Sequence, residues 1–157
     1  MKTEKWKQYT FWILLSLGTG LLSGWLIRDA VVIYGEQIQK PPLSPPAFLF
    51  PIVWTVLYIL MGISAAMISL SPESRERSRS LNLFVIQLIL NFFWSPVFFN
   101  TQTFGIALLI LILLWFSVLW MILSFAEVNK LAAFLQLPYL LWLTLAAYLN
   151  YGVWYLN

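Results

Sequence analysis

Neither cysteine nor histidine occurs among the 157 residues. Disulfides, thiolate nucleophiles, Cys/His zinc sites, histidine-based catalytic triads and haem held by His or Cys are therefore all excluded. Charge is scarce too. Only 10% of residues are charged, against roughly a quarter in a soluble domain. The six carboxylates all lie at the ends of apolar runs or between them. No general acid or base is then available inside those runs, so hydrolytic chemistry is not expected. Ion-coupled transport is disfavoured for the same reason, because such carriers keep ionisable residues near the midplane. No metal site and no resident cofactor are expected.

Apolar surface is what the chain has in excess. It is 61% hydrophobic, with a mean hydropathy of +0.83. Such a chain cannot be solvated by its own polar side chains, and a lipid bilayer is its natural solvent. The net charge of +3 comes from basic residues clustered at segment ends. That pattern orients a membrane protein and gives no sign of nucleic-acid binding.

Crossing the roughly 30 Å of hydrocarbon takes about 20 apolar residues in a helix. Five stretches qualify: 8–27, 47–70, 81–99, 103–124 and 131–155. The expected fold class is all-α, an integral membrane bundle of five transmembrane helices in one domain over 1–157. The first run follows Lys2, Lys5 and Lys7, as a signal peptide would. It is too long for an h-region and no A-x-A-like site follows, so it reads as a retained helix. A short turn near Asn100-Thr101-Gln102-Thr103 predicts an antiparallel hairpin of the third and fourth helices. Seven basic residues fall on the side of the N-terminus (Lys2, Lys5, Lys7, Arg75, Arg77, Arg79, Lys130) and two on the other (Arg28, Lys40). This split places the N-terminus in the cytoplasm and the C-terminus outside. The charged segment Ser71–Ser80 reads most simply as part of that orientation signal.

The long connection 28–46 contains Lys40-Pro41-Pro42-Leu43-Ser44-Pro45-Pro46. Its prolines fix φ, remove backbone donors and hold their neighbours extended. A stiff connector and a lid over a binding site are equally good readings of the prolines alone. Ser44 is expected to cap the second helix, with Pro45 at its first position.

Polar residues inside hydrocarbon are costly, so their positions carry information. Gln87, Asn91 and Ser95 recur at four-residue spacing, and Phe98 shares their face. Asn91 needs a partner: a neighbouring helix, a ligand or trapped water. Interhelical hydrogen bonding is the plainer reading. Pro96 and Pro138 deprive the Phe92 and Phe134 carbonyls of their helical donors, which is tolerated beside neighbours, water or a cavity. Trp54, Tyr58 and Met61 form one stripe of the second helix, and Trp142 and Ala146 lie one turn apart in the fifth. An interfacial belt accounts for Trp6, Trp12, Trp25, Trp154 and Tyr155, but not for Trp142 deep in its span. Ser16, Gly20 and Gly24 form a small-residue face, as do Gly62 and Ala66. Close packing within the bundle and a homodimer seam both fit it.

These residues carry a family resemblance. Lys40-Pro41 through Pro45-Pro46, Val53-Trp54-Thr55-Val56-Leu57-Tyr58 with Met61-Gly62, Leu90-Asn91-Phe92-Phe93-Trp94-Ser95-Pro96-Val97-Phe98-Phe99, and Pro138-Tyr139-Leu140-Leu141-Trp142 through Val153-Trp154 appear in order. Over about 12–157 the chain resembles the translocator protein family, also called TspO, tryptophan-rich sensory protein or peripheral-type benzodiazepine receptor. The resemblance implies a five-helix membrane fold, often dimeric, in a bacterial cell membrane for this chain. It implies binding of porphyrins and related hydrophobic ligands in a pocket closed by the first loop. The pocket carried over by motif is Pro45, Phe50, Trp54, Asn91, Ser95, Phe98, Trp142 and Ala146, with Tyr34 from the lid. Two departures matter. Leu43 stands where the family usually has Trp between the proline pairs. After Val153-Trp154 comes Tyr155 rather than the Arg of animal members, so their sterol-recognition pattern is missing and a sterol is not the expected principal ligand.

The function implied is a membrane receptor or carrier for tetrapyrroles of the protoporphyrin kind. Trp54, Phe98 and Trp142 offer aromatic faces, Asn91 and Ser95 offer orienting hydrogen bonds, and Arg28 or Lys40 could meet ligand carboxylates at the rim. The alternative is light-dependent oxidative porphyrin degradation, with Trp54 and Trp142 as the participating residues.

Overall fold

The computed structural model describes residues 2–157, with side chains from residue 4 onward. Helix α1 spans Lys2–Gln37, α2 Leu49–Ser69 and α3 Arg75–Ser95. A π-helical turn, Pro96–Asn100, follows α3 directly. Helix α4 spans Phe104–Val128, the short α5 Lys130–Leu135 and α6 Leu137–Leu156. Among the described residues there is no strand. Five helical segments are long and apolar enough to cross a membrane, the last being α5 and α6 together.

Four boundaries differ from the sequence reading, each for a local reason. Helix α1 does not stop at Ile27 but continues to Gln37, so most of the expected 28–46 connection is helical. Arg28 and Asp29 end the apolar run, not the helix. No proline occurs before Pro41. Arg28 donates to the Trp25 carbonyl (2.7 Å) and lies over its indole, while Lys40 Nζ donates to the Gly35 carbonyl (3.1 Å) near the helix end. Only 38–48 remains as the connection.

Ser44 does not cap α2. Its hydroxyl donates to the Pro41 carbonyl (2.7 Å) and tightens the proline turn instead. Helix α2 begins four residues after Pro45, at Leu49, with no side-chain cap. Helix α3 begins at Arg75, six residues earlier than its apolar run, because Ser74 accepts from the Arg77 amide (3.1 Å). Two basic residues of that segment are engaged internally: Arg77 donates twice to the Ser69 carbonyl, and Arg79 pairs with Glu127 and donates to Ser124 Oγ (3.0 Å). Finally, the fifth span is interrupted. Asn129 caps α5, Gln136 forms a one-residue break, and Pro138 sits in the first turn of α6.

The helices pack in a ring. Helix α1 lies along α2 and also touches α3; α3 lies along α4; α4 holds both α5 and α6. Helix α5 closes the ring against α2, whereas the backbones of α2 and α6 stay apart along nearly their whole length. Close α1–α2 contact uses the small residues. A methyl group at Gly62 would lie 2.4 Å from Ile13 Cα, and one at Gly20 2.3 Å from the Tyr58 ring. Ser16 is fully buried, but a methyl at Gly24 would meet nothing. Ser16 and Gly20 thus serve packing inside the bundle. Trp6, Trp25, Trp154 and Tyr155 are exposed near segment ends, as an interfacial belt requires. Trp12 is not a belt residue: it packs edge-on against buried Phe84 (5.5 Å) and donates to Gln8 (3.1 Å).

Candidate functional site

An aromatic cluster occupies the space between α2 and α6. Phe50 and Trp54, one helical turn apart, project from the first turns of α2; Tyr139 and Trp142 project from α6. The Trp54 and Trp142 indoles stand perpendicular at 6.5 Å, and Phe50 meets Trp142 at 5.6 Å. Tyr58 is tilted 30° from the Trp54 plane at 5.6 Å, and Tyr139 meets Trp54 edge-on at 6.3 Å. These are contact distances for offset and edge-to-face rings. Both indoles are half-buried, and they stand edge-to-face toward each other. A planar ligand entering between them must part the rings.

Asn91 of α3 lies behind this cluster. Its Oδ1 accepts from the Tyr58 hydroxyl (2.5 Å), and its Nδ2 donates to the Tyr139 hydroxyl (2.7 Å). Tyr139 donates in turn to Gln87 Oε1 (2.8 Å). The chain of hydrogen bonds is Tyr58 to Asn91 to Tyr139 to Gln87, and all four residues are buried. It ties α2, α3 and α6 together at membrane depth, where no water competes. Farther along the same bundle, Gln136 Nε2 donates to Ser64 Oγ (3.0 Å), and Gln136 Oε1 has no protein partner.

A second aromatic group surrounds Phe98. Tyr34 meets Phe98 at 5.5 Å and Phe99 at 5.1 Å, and Trp94 is tilted 31° from Phe98 at 5.2 Å. Trp94 packs against both clusters. Its indole donates to Asn150 Oδ1 (3.0 Å), and Asn150 Nδ2 donates to the Phe104 carbonyl (2.9 Å).

The segment 38–48 lies over the end of α6. Gln39 and Asn157 exchange two hydrogen bonds, through the Gln39 amide (3.2 Å) and carbonyl (2.9 Å). Tyr148 donates to the Pro42 carbonyl (2.7 Å). Pro41 is buried in the notch left by Gly152, where a methyl would lie 2.5 Å from its ring. Leu43 takes a positive φ of 68° and is 86% exposed, so it faces away from the cluster.

The sequence and this geometry meet a known pattern. The TspO/MBR family signature matches residues 12–156. The chain belongs to the TspO/MBR family. It is 40% identical over 144 residues to the tryptophan-rich protein TspO of Chlorobaculum tepidum, with 91% of each chain covered. It is 39% identical over 123 residues to protein CrtK of Rhodobacter capsulatus, covering 78% of this chain and 77% of that one. Similarity to the translocator protein of Bos taurus is 37% over 146 residues, covering 92% and 86%. As a TspO/MBR protein with five membrane-crossing helices, the chain is an integral membrane protein.

The nine site residues expected for this TspO/MBR chain fall into distinct places. Phe50, Trp54, Asn91 and Trp142 come together in the first cluster, and Ala146 is buried in the same core. Tyr34 and Phe98 come together in the second, with Tyr34 on α1 and not on a loop. Ser95 is half-buried one turn beyond Asn91, and Pro45 is half-buried in the 38–48 segment. Two residues were missing from the expected set: Tyr139 and Gln87. Both signals were present, since Tyr139 is the hydroxyl-bearing neighbour of Pro138 and Gln87 stands one turn before Asn91.

Proposed function

We propose that this chain binds flat tetrapyrroles of the protoporphyrin type between α2 and α6, with the 38–48 segment as the cover. The perpendicular pair Trp54 and Trp142, backed by the Asn91 amide, is the observation that carries this reading. Two indoles and Phe50 offer a large aromatic contact area to a macrocycle that partitions into lipid. Asn91 supplies orientation, since small-molecule sites are mostly apolar with a few placed polar groups. Pro45, Ser95, Phe98, Ala146 and Tyr34 would complete the lining once the rings part. Lys40, whose ammonium lies 5.1 Å above the Tyr34 ring, stands at the covered end and suits a ligand carboxylate.

The names carried by relatives, tryptophan-rich sensory protein and translocator protein, fit either sensing or carrying of such a ligand. The excess of basic residues on the N-terminal side favours a cytoplasmic N-terminus, with the 38–48 cover on the outer side. Titration of the detergent-solubilised protein with protoporphyrin, haem and a sterol tests the reading. Saturable tryptophan quenching by protoporphyrin is expected. Haem serves as the comparison that separates recognition of the flat macrocycle from ligation of its iron. Absence of saturable protoporphyrin binding would remove the proposal.

A further inference from the structure

We infer that the ligand reaches this site sideways from the bilayer, through the seam between α2 and α6, with Trp142 as the gate. The inference rests on the tetrapyrrole reading above and adds the route to it.

Three observations converge on the seam. First, it is where the ring of helices is held by side chains alone. Helix α2 lies against α1, α3 and α5, yet the α2 and α6 backbones stay apart, and the bridging contacts are the rings of Phe50, Trp54, Tyr139 and Trp142. Parting such rings breaks no α2–α6 backbone packing. Second, the seam is open on its outer side. A groove of about 440 Å³ runs along it, walled by Val56 and Leu60 of α2 and by Pro138, Leu141 and Leu145 of α6. Trp142 lines this groove and also contacts Phe50 and Trp54. Of the rings in the aromatic cluster, Trp142 is the one that also lines the groove. The groove is apolar and lies on membrane-crossing helices, so its natural visitor is a lipid-dissolved molecule. Continuity with the site through Trp142 selects the flat ligand itself as the functional occupant.

Third, α6 has a place to pivot. Gln136 interrupts the fifth span between α5 and α6, and Pro138 withholds an amide from the turn before it. The Gln136 Oε1 is buried and unpartnered, so that side chain is held by one hydrogen bond to Ser64. A pivot at this break would leave α5 against α2. The competing route, past the 38–48 segment, is fastened by the Gln39–Asn157 pair, by Tyr148 on the Pro42 carbonyl and by Pro41 in the Gly152 notch. Polar fastenings and a keyed proline hold the cover directly to α6; the seam is bridged by edge-to-face rings, with the Tyr58–Asn91–Tyr139 hydrogen bonds lying behind them on its inner side.

The absence of native cysteine makes the test direct. A Val56→Cys, Leu145→Cys variant is joined across the groove with a short reducible bifunctional thiol reagent. A Gln39→Cys, Asn157→Cys variant pins the cover to α6 in the same way. Leu141→Trp, which fills the groove from its exposed side without a cross-link, is the third protein. Each is placed in lipid vesicles, and protoporphyrin association is followed by stopped-flow tryptophan quenching beside equilibrium affinity. Seam linking and Leu141→Trp should each slow association by about tenfold or more, with equilibrium affinity retained. Reduction of the linker should restore the rate, and pinning the cover should leave it unchanged. An unchanged rate after seam linking, or slowing only when the cover is pinned, overturns lateral access while leaving the site intact. An acyl chain as the groove's only occupant would give that first outcome. A wild-type protein that binds no protoporphyrin at equilibrium overturns the site and the route together.

Discussion

At Asn91 one amide satisfies two phenols. Tyr58 needs an acceptor and Tyr139 needs its donor. Asn91→Leu would leave a buried donor orphaned in hydrocarbon, and should cost about 1–3 kcal/mol in thermal unfolding in detergent. A melt unchanged from wild type would show that water takes over both phenols. Glycine offers a second residue-scale contrast. Gly62→Ala drives a methyl against the Ile13 backbone and should destabilise by about 1–3 kcal/mol. Gly24→Ala meets open space and should stabilise by up to about 1 kcal/mol through helix propensity. Sequence spacing put Gly20 and Gly24 on one face, but only the neighbour decides which is needed. Asn91 was legible because its cost in lipid demanded a partner; Tyr139 stood in view beside Pro138, but spacing along one helix could not pair it with Asn91 on another.

Among the elements, apolar runs predicted how many membrane-crossing segments there are and mispredicted where several of them end. Hydropathy reports the edge of the lipid, while helix ends report caps and prolines. The 36-residue α1 would extend some 54 Å at the usual rise, well beyond the hydrocarbon, so Arg28 and Asp29 can leave the membrane without leaving the helix. Proline breaks were legible in position but not in form. After Pro96 the chain widens into a π turn in which the Thr101 amide reaches the Pro96 carbonyl (3.2 Å). Pro96→Ala returns a donor to the Phe92 carbonyl and lets the turn relax to α-helix. Phe98 should then rotate off Tyr34, and the near-ultraviolet circular dichroism of that cluster should fall; an unchanged spectrum would show that Pro96 does not hold the turn. At the other break, Gln136→Leu removes an unpartnered buried oxygen, and Ser64 keeps its own bond to the Leu60 carbonyl (2.6 Å). Its stability should stay within about 1 kcal/mol of wild type, in contrast to Asn91→Leu. A melting loss as large as that of Asn91→Leu would show the Gln136–Ser64 bond to be structural.

For the whole molecule, the bundle closes its ring firmly everywhere except between α2 and α6, and that is where the tryptophans sit. Family membership and the membrane fold were legible in the order and spacing of motifs. The division of the expected site residues into a Trp54–Trp142 cluster and a Tyr34–Phe98 cluster was not, because helical spacing fixes faces on one helix and not which helices meet. The central claim is that the paired indoles receive a flat tetrapyrrole. It is tested most directly by protoporphyrin affinity in lipid nanodiscs, read from the porphyrin's own absorbance, for wild type and a Trp54→Leu, Trp142→Leu variant of matched helicity. Removing both rings should weaken binding by at least about tenfold, since base-sized aromatic contacts contribute on the order of 1–3 kcal/mol each. Equal affinity in the two proteins would contradict the account.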